Sequence, residues 1–246
     1  MNKLTIFDSE LANNPNKRVP ICIALDTSYS MHGEKIHALN KGVKMFIDEI
    51  LKNEMTRFSA DVAILTFGGE VRKVLDFGKM EIPAFSANGG TPMGEAVLEA
   101  LSMLEDRKKQ YQDNGVEYWQ PWLVLMTDGE PTDDDNYTPG APTNPFDMAC
   151  KKTCDLLRRK KLVLIPISID ANIEKLSKFC KPPAPLEGLK FSEFFSWLSQ
   201  SVSVISNSTP GSKWDLPEPS SWTTIEIFDD SDDDDDSDDD DDSDDN

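Results

Sequence analysis

The chain has 246 residues, 38% of them hydrophobic, which suits one α/β domain with an appendage better than two full domains. Its formal net charge of −20 is uneven: residues 229–246 hold 14 Asp and no base, so the rest of the chain carries −20 + 14 = −6. The body has the charge of an ordinary soluble domain, and the polyanionic tail is predicted to be disordered. This balance argues against nucleic acid as a direct ligand.

The amino-terminal stretch MNKLTIFDSELANNPNKR has early acids and no apolar run long enough for a secretory signal. No later run approaches the roughly eighteen residues of a membrane span. We therefore expect a cytoplasmic protein with no membrane partner.

The four cysteines are expected to be reduced structural thiols, as in most cytoplasmic proteins. Two of them lie four residues apart on a predicted helix, but no second pair or nearby His completes a metal site. The four are Cys22, Cys150, Cys154 and Cys180.

Apolar runs alternate with segments of helical periodicity, which predicts a doubly wound, mostly parallel sheet with helices on both faces. The central strands are nearly continuous apolar runs, and the edge strand 71–77 is expected to pair antiparallel with the strand before it. In chain order the predicted elements are strand 19–26, helix 34–53, strands 62–67 and 71–77, a helix starting at Pro92 with Thr91 as its N-cap, strand 122–127, helix 145–159, strand 162–169, and helices 172–180 and 192–203.

After Val204 the composition shifts to Ser, Pro and Gly, which is typical of a linker. The apolar segment 222–228 has two equally supported interpretations: a strand packed on the domain, or a docking segment that adds to a partner's sheet edge. The predicted organisation is an N-terminal extension (1–17), a folded domain (18–205), a linker (206–221), the apolar segment (222–228) and the Asp-rich tail (229–246).

Polar motifs stand at the ends of two predicted strands and before one helix. Asp26 and Asp128 are expected at the carboxyl ends of buried parallel strands, where open α/β sheets hold their ligands. Ser28, Ser30 and Thr91 add hydroxyl oxygens. An all-oxygen set suits Mg²⁺, with Mn²⁺ as the alternative ion.

The words DTSYS, GGTP and TDG resemble the metal-ion-dependent adhesion site of von Willebrand factor A domains. Over about 16–204, the stretches RVPICIALDTSYSM, SANGGTPMGEAV and LVLMTDGEPTDD are most similar to the bacterial TerY-like group, linked to tellurite-resistance gene clusters. Tyr29 stands where many members have Gly, and integrin β subunits resemble this chain there.

The resemblance implies a von Willebrand factor A, Rossmann-like fold and a cation held by Asp26, Ser28, Ser30, Thr91 and Asp128. It further implies a protein partner that offers an Asp or Glu to that cation. The context it suggests is a bacterial stress-response or antiviral (phage-defence) system with kinase-like and phosphatase-like components.

Two alternatives remain open. A strand-end Asp with Mg²⁺ also describes phosphatases and related hydrolases, but their aspartyl nucleophile needs a carboxylate two positions later, where this chain has Ser28. The phosphate-binding loops GxxxxGK[ST] and GxGxxG are missing after the first strand, so we predict a binding module with no catalytic residues. In the other alternative, the acidic tail is the functional region and acts as a nucleic-acid mimic or a cation buffer.

Two acidic segments each have more than one interpretation. The run Asp133-Asp134-Asp135 is predicted to be a solvated loop, with contact to a second cation as the alternative. The tail either confers solubility, attracts a basic partner, or competes for the metal with its own carboxylates.

Overall fold

The computed structural model describes residues 14, 16–79, 81–134, 144–169, 173–208 and 214–224. Its strands form one sheet in the order β3-β2-β1-β4-β5-β6, with every neighbouring pair parallel except the β2–β3 hairpin. The mostly parallel fold and the antiparallel edge strand are therefore confirmed. The strands are β1 (Val19–Asp26), β2 (Ala60–Gly68), β3 (Glu70–Leu75), β4 (Trp122–Thr127), β5 (Val163–Ser168) and β6 (Ala184–Pro185).

Helices cover both faces of the sheet. They are α1 (Glu34–Lys52), α2 (Glu54–Ser59), α3 (Met93–Asp113), α4 (Pro145–Arg158), α5 (Ile173–Ser177) and α6 (Phe191–Asn207), with 3-10 turns at Tyr29–Met31 and Pro219–Ser221. Sequence periodicity missed α2 and β6 because elements this short contain too few residues to show a period. Within the described residues, none of the helices is long and apolar enough to cross a membrane.

The sheet separates two apolar cores. Along β1, Ile21 and Ile23 face the core shared with α1 and α6, whereas Cys22 and Ala24 face the core shared with α3 and α4. All of these side chains are fully buried. Burial on both faces explains why the central strands are continuous apolar runs rather than alternating ones.

Residues 214–224 lie against the core that contains α6. Trp222 is fully buried, with its ring 4.9 Å from that of Phe194 and 5.4 Å from that of Trp197. The Trp197 indole donates a 2.7 Å hydrogen bond to the carbonyl of Pro217, inside the predicted linker. Trp222 and Thr223 are buried against the domain and follow a 3-10 turn rather than forming a strand, whereas Thr224 is exposed. Residues 225–228 and the acidic tail lie outside the described residues.

Cys154 and Cys180 form a disulfide with a Cα–Cα distance of 5.4 Å. The expectation of four reduced thiols is therefore wrong for this pair, although Cys22 and Cys150 are free and buried. Cys180 adopts a left-handed backbone conformation (φ 60°), and the chain after α5 there reaches the carboxyl-terminal part of α4. The partners are 26 residues apart, so spacing along the sequence did not reveal the pairing.

Candidate metal site

Two carboxylates sit side by side at the carboxyl edge of the sheet. Asp26 ends β1 and Asp128 directly follows β4, and these strands are parallel neighbours with Leu25 opposite Met126. Asp26 is fully buried, and the side chain of Asp128 is 0% exposed. The strand order therefore places both acids where the sequence predicted them, at the edge where such sheets hold ligands.

Hydrogen bonds join these acids to the serines of the DTSYS motif. The Ser28 amide donates to Asp26 Oδ1 at 2.7 Å, and the Thr127 hydroxyl donates to Asp26 Oδ2 at 2.5 Å. The hydroxyl oxygens of Ser28 and Ser30 are 2.9 Å apart, and Ser30 donates to Asp128 Oδ1 at 2.5 Å. Four of the five predicted ligands thus form one hydrogen-bonded chain, in which the Ser28 amide makes the link to Asp26.

The fifth predicted ligand, Thr91, faces the same space across Gly129. A Cβ built on Gly129 would lie 3.3 Å from Thr91 Oγ1, 3.7 Å from Ser30 Oγ and 3.8 Å from Asp26 Oδ2. Oxygens from three separate segments therefore surround a small space, which is free because Gly129 has no side chain. The structure brings all five predicted residues together.

Backbone contacts hold the loops of the site in register. The Tyr29 amide donates to the Gly89 carbonyl at 3.0 Å, and the Gly69 amide donates to the Gly90 carbonyl at 2.7 Å. Gly89 has a left-handed φ of 70°, and a Cβ there would lie 2.4 Å from the Cα of Gly69. Only glycine allows the Thr91 loop to approach the end of β2 this closely.

The capping of α3 differs from the sequence expectation. The helix begins at Met93 with Pro92 as the N-cap residue, and no side-chain cap bond is made from that position. The Glu95 amide instead donates at 2.8 Å to Asp133, a side chain from the loop after β4. The prediction that Thr91 caps the helix is therefore wrong, and its hydroxyl is directed at the site.

The solvated-loop prediction for Asp133 and Asp134 is also wrong. Asp133 is only 6% exposed because it caps α3, and Asp134 forms a short ion pair with Lys175 of α5. Asp133 thus caps α3, and Asp134 pairs with a lysine of α5. Asp135 lies outside the described residues.

Burial affects the charge on Asp26. It raises the pKa of the carboxyl group above its usual value, against the opposing effect of the hydrogen bonds from Ser28 and Thr127. A nearby cation would favour the ionised form and offset this desolvation.

Lys35 is a residue of the site that the sequence reasoning missed. Its ammonium lies 2.7 Å from Asp128 Oδ2, and its side chain is 26% exposed. A lysine in the first turn of α1 interacts unfavourably with the helix dipole. This unfavourable position was the feature of the sequence that could have indicated a specific acidic partner for Lys35.

The donor set fits a hard divalent cation. Two carboxylates and three hydroxyls supply only oxygen, the ligand type that Mg²⁺ and Mn²⁺ share. In the part of the chain that the structure describes, no three His, Cys, Asp or Glu side chains cluster. A cation at this edge would therefore depend on the hydroxyls of Ser28, Ser30 and Thr91 as well as on the two acids.

The site opens to solvent along one rim. Tyr29 is 73% exposed, and its ring stacks on that of His32 with centroids 6.0 Å apart. Ser30, beside it, is also exposed, whereas Asp26 and Ser28 lie deeper. An approaching molecule therefore meets the Tyr29 ring and the Ser30 hydroxyl first.

Comparisons with known proteins agree with this architecture. Residues 21–130 match a family model described as von Willebrand factor type A domain, and the comparison with curated proteins found no match. The vWF domain of the type V pili tip protein Mfa5 from Porphyromonas gingivalis gives a TM-score of 0.56 at 11% identity, over 80% of this chain and 99% of that one. The pilus adhesin SpaC from Lactobacillus rhamnosus GG gives 0.57 at 14%, over 76% and 30%.

A third similar structure is proximal thread matrix protein 1 from the mussel byssus, solved with a zinc-occupied MIDAS motif. Its TM-score is 0.50 at 17% identity, over 76% of this chain and 48% of that one. In the comparison with another crystal form of the mussel protein, the present chain covers 49% of the mussel protein's length. Likeness at these identities shows the fold alone: the described chain has the von Willebrand factor A fold, and residues 21–130 match the model of that family.

Proposed function

We propose that this domain is a metal-dependent protein-interaction module that holds Mg²⁺ among Asp26, Ser28, Ser30, Thr91 and Asp128. The observation that carries the proposal is the convergence of these oxygens around Gly129. A bound cation would supply an attachment point for a carboxylate from another molecule. The mussel protein with its zinc-occupied MIDAS motif supports a divalent ion, and the choice of Mg²⁺, with Mn²⁺ as the alternative, rests on the all-oxygen donors.

The chain's own residues would position the partner. The buried Asp26 and Asp128 anchor the inner side of the site, and the exposed Tyr29 and Ser30 form its rim. An aromatic side chain beside a charged centre is a common anchor of protein interfaces. An acidic side chain of a protein partner, flanked by apolar contacts, suits this surface.

The absence of catalysis is part of the proposal. Ser28 occupies the position at which an aspartyl phosphatase needs a second carboxylate, and its hydroxyl is hydrogen-bonded within the Asp26–Asp128 chain. The finer context, a cytoplasmic TerY-like system for stress response or phage defence with kinase-like or phosphatase-like partners, rests on the sequence resemblance.

Partner capture tests the proposal. Tagged wild-type protein and Asp26→Ala are used as baits in native lysate, each with Mg²⁺ and with a chelator. Asp106→Ala is the matched control because this surface acid lies outside the site. We expect a set of acidic partners that wild type and Asp106→Ala retain only with metal and that Asp26→Ala loses. Identical capture by all three proteins under both conditions would contradict the proposal.

A further inference from the structure

The two acids of the site differ in how their charge is balanced. Among the described residues, Asp26 accepts hydrogen bonds from neutral donors, including the Ser28 amide and the Thr127 hydroxyl. Asp128 receives the Ser30 hydroxyl on one oxygen and the Lys35 ammonium, at 2.7 Å, on the other. One positive charge is therefore already built into the predicted metal site.

This ion pair is not an ordinary surface pair. The Asp128 side chain is 0% exposed, so solvent screens its charge much less than that of an exposed acid. Lys35 lies in the first turn of α1, where the helix dipole disfavours a cation. Its position is thus unfavourable for the helix alone and is compensated by the contact with Asp128.

An ammonium at this distance and a divalent cation among the same oxygens repel each other. The two positive charges would share Asp128 across a poorly solvated space, where like charges interact strongly. Lys35 has the freedom to move away, because its side chain is 26% exposed and sits on a flexible four-carbon stem.

We propose that Lys35 is an intrinsic counter-cation that competes with the metal: it stabilises Asp128 when no divalent cation is bound and must release Asp128 before one binds. Lys35 therefore lowers the affinity of the site and tunes the metal concentration at which the site fills. This proposal rests on the proposed metal site and adds to it a residue that sets its affinity.

The test is titration calorimetry of Mg²⁺ and of Mn²⁺ into the full chain, comparing Lys35→Met with Lys41→Met. Both substitutions remove one positive charge from α1 and keep a long apolar side chain, but Lys41 is exposed on the helix and lies outside the site. Lys35→Arg, which keeps a cation in reach of Asp128, serves as the rescue variant.

We expect Lys35→Met to bind metal at least about tenfold more tightly than Lys41→Met, because the competing charge-assisted hydrogen bond has been removed. In metal-free buffer Lys35→Met should also melt a few degrees below Lys41→Met, since Asp128 is then buried without its counter-charge. Lys35→Arg should stay close to wild type in both measurements.

Equal affinities for Lys35→Met and Lys41→Met, in a protein whose wild type binds metal, would overturn the role of Lys35 and leave the metal site intact. Weaker binding by Lys35→Met than by Lys41→Met would overturn it as well. No binding of either ion by wild type or by any variant would overturn both this inference and the proposed metal-dependent function.

Discussion

Gly129 is the residue at which the space for the cation can be tested most simply. A methyl group there would lie 3.3 Å from Thr91 Oγ1 and 3.7 Å from Ser30 Oγ, close enough to occupy the space without a severe clash. We therefore expect Gly129→Ala to fold normally and to bind Mg²⁺ about tenfold or more weakly, since overpacking costs about 1–3 kcal/mol.

The matched control for this substitution is Glu130→Ala, which changes the exposed neighbouring residue. Calorimetric titration of Mg²⁺ into both variants gives the comparison. An unaltered affinity in Gly129→Ala would mean that the cation does not lie among these oxygens.

The sequence predicted that Thr91 is both the cap of α3 and a metal ligand. In the structure Asp133 caps the helix, and the Thr91 hydroxyl faces the candidate metal site. Asp133 accepts the hydrogen bond from the Glu95 amide, so Asp133→Ala should lower the free energy of unfolding by about 0.5–2 kcal/mol, the usual cost of losing a helix cap. Thr91→Ala should leave more of the stability intact and should weaken metal binding and partner binding.

Urea unfolding of both variants without metal, followed by Mg²⁺ titration, separates the two roles. If Thr91→Ala were the less stable variant and kept full metal affinity, the assignment of cap and ligand would have to be reversed.

At the scale of the elements, the strands and the five predicted ligands could be placed from the sequence because their signals are local. Continuous apolar runs mark the buried strands, and an Asp directly after such a run marks the carboxyl edge of the sheet. The contact of Lys35 and the capping role of Asp133 could not be predicted, for the opposite reason. Their partners, Asp128 and the Glu95 amide, are distant in sequence and become neighbours only through the folded loops.

The disulfide between α4 and the segment after α5 makes a direct prediction about thiol content. Cys22 and Cys150 are buried, and burial raises the pKa of Cys150 to about 12, so neither thiol should react with an alkylating reagent at pH 8 in the native protein. Mass spectrometry should then find no alkylated cysteine in native protein, two after unfolding without reductant, and four after unfolding with reductant.

Four modified cysteines in protein unfolded without reductant would show that Cys154 and Cys180 are reduced. That outcome would agree with the predicted cytoplasmic location, because disulfides persist mainly in oxidising compartments. The thiol count therefore tests the pairing and bears on the compartment.

At the scale of the whole molecule, the last described residues lie beyond the carboxyl edge of the sheet, on the side of β6. The Glu187 amide donates to the Trp222 carbonyl at 3.0 Å, and Glu187 follows β6, which is parallel to β5. Trp222 therefore lies beyond the same carboxyl edge of the sheet as Asp26 and Asp128. The Asp-rich tail begins at residue 229, only a few residues after the last described residue, Thr224.

Attachment at this edge favours competition for the metal over the other two roles of the tail. If the tail is disordered, as the sequence predicts, its attachment at the same edge of the sheet as the candidate site would supply carboxylates there at about millimolar effective concentration. Truncation after Phe228, which retains the buried Trp222, should therefore tighten the binding of an acidic partner in Mg²⁺. Affinity is measured for full-length and truncated protein at low and high salt.

The other outcomes identify the other roles of the tail. A salt-dependent loss of affinity on truncation would indicate recruitment of a basic partner. The same affinity at both salt concentrations would leave solubility as the function of the tail. Neither result affects the assignment of the metal ligands.

Thermal unfolding with and without Mg²⁺ shows whether the oxygens gathered around Gly129 bind a divalent cation in the folded protein. A cation that binds only the folded state at about 100 times its Kd adds about 2.7 kcal/mol, a shift of several degrees for a domain of this size. We predict that shift for wild type and for Asp106→Ala, and almost none for Asp26→Ala or the Ser28→Ala, Ser30→Ala double variant. Equal shifts in all four proteins, or no shift in wild type with either Mg²⁺ or Mn²⁺, would contradict the account.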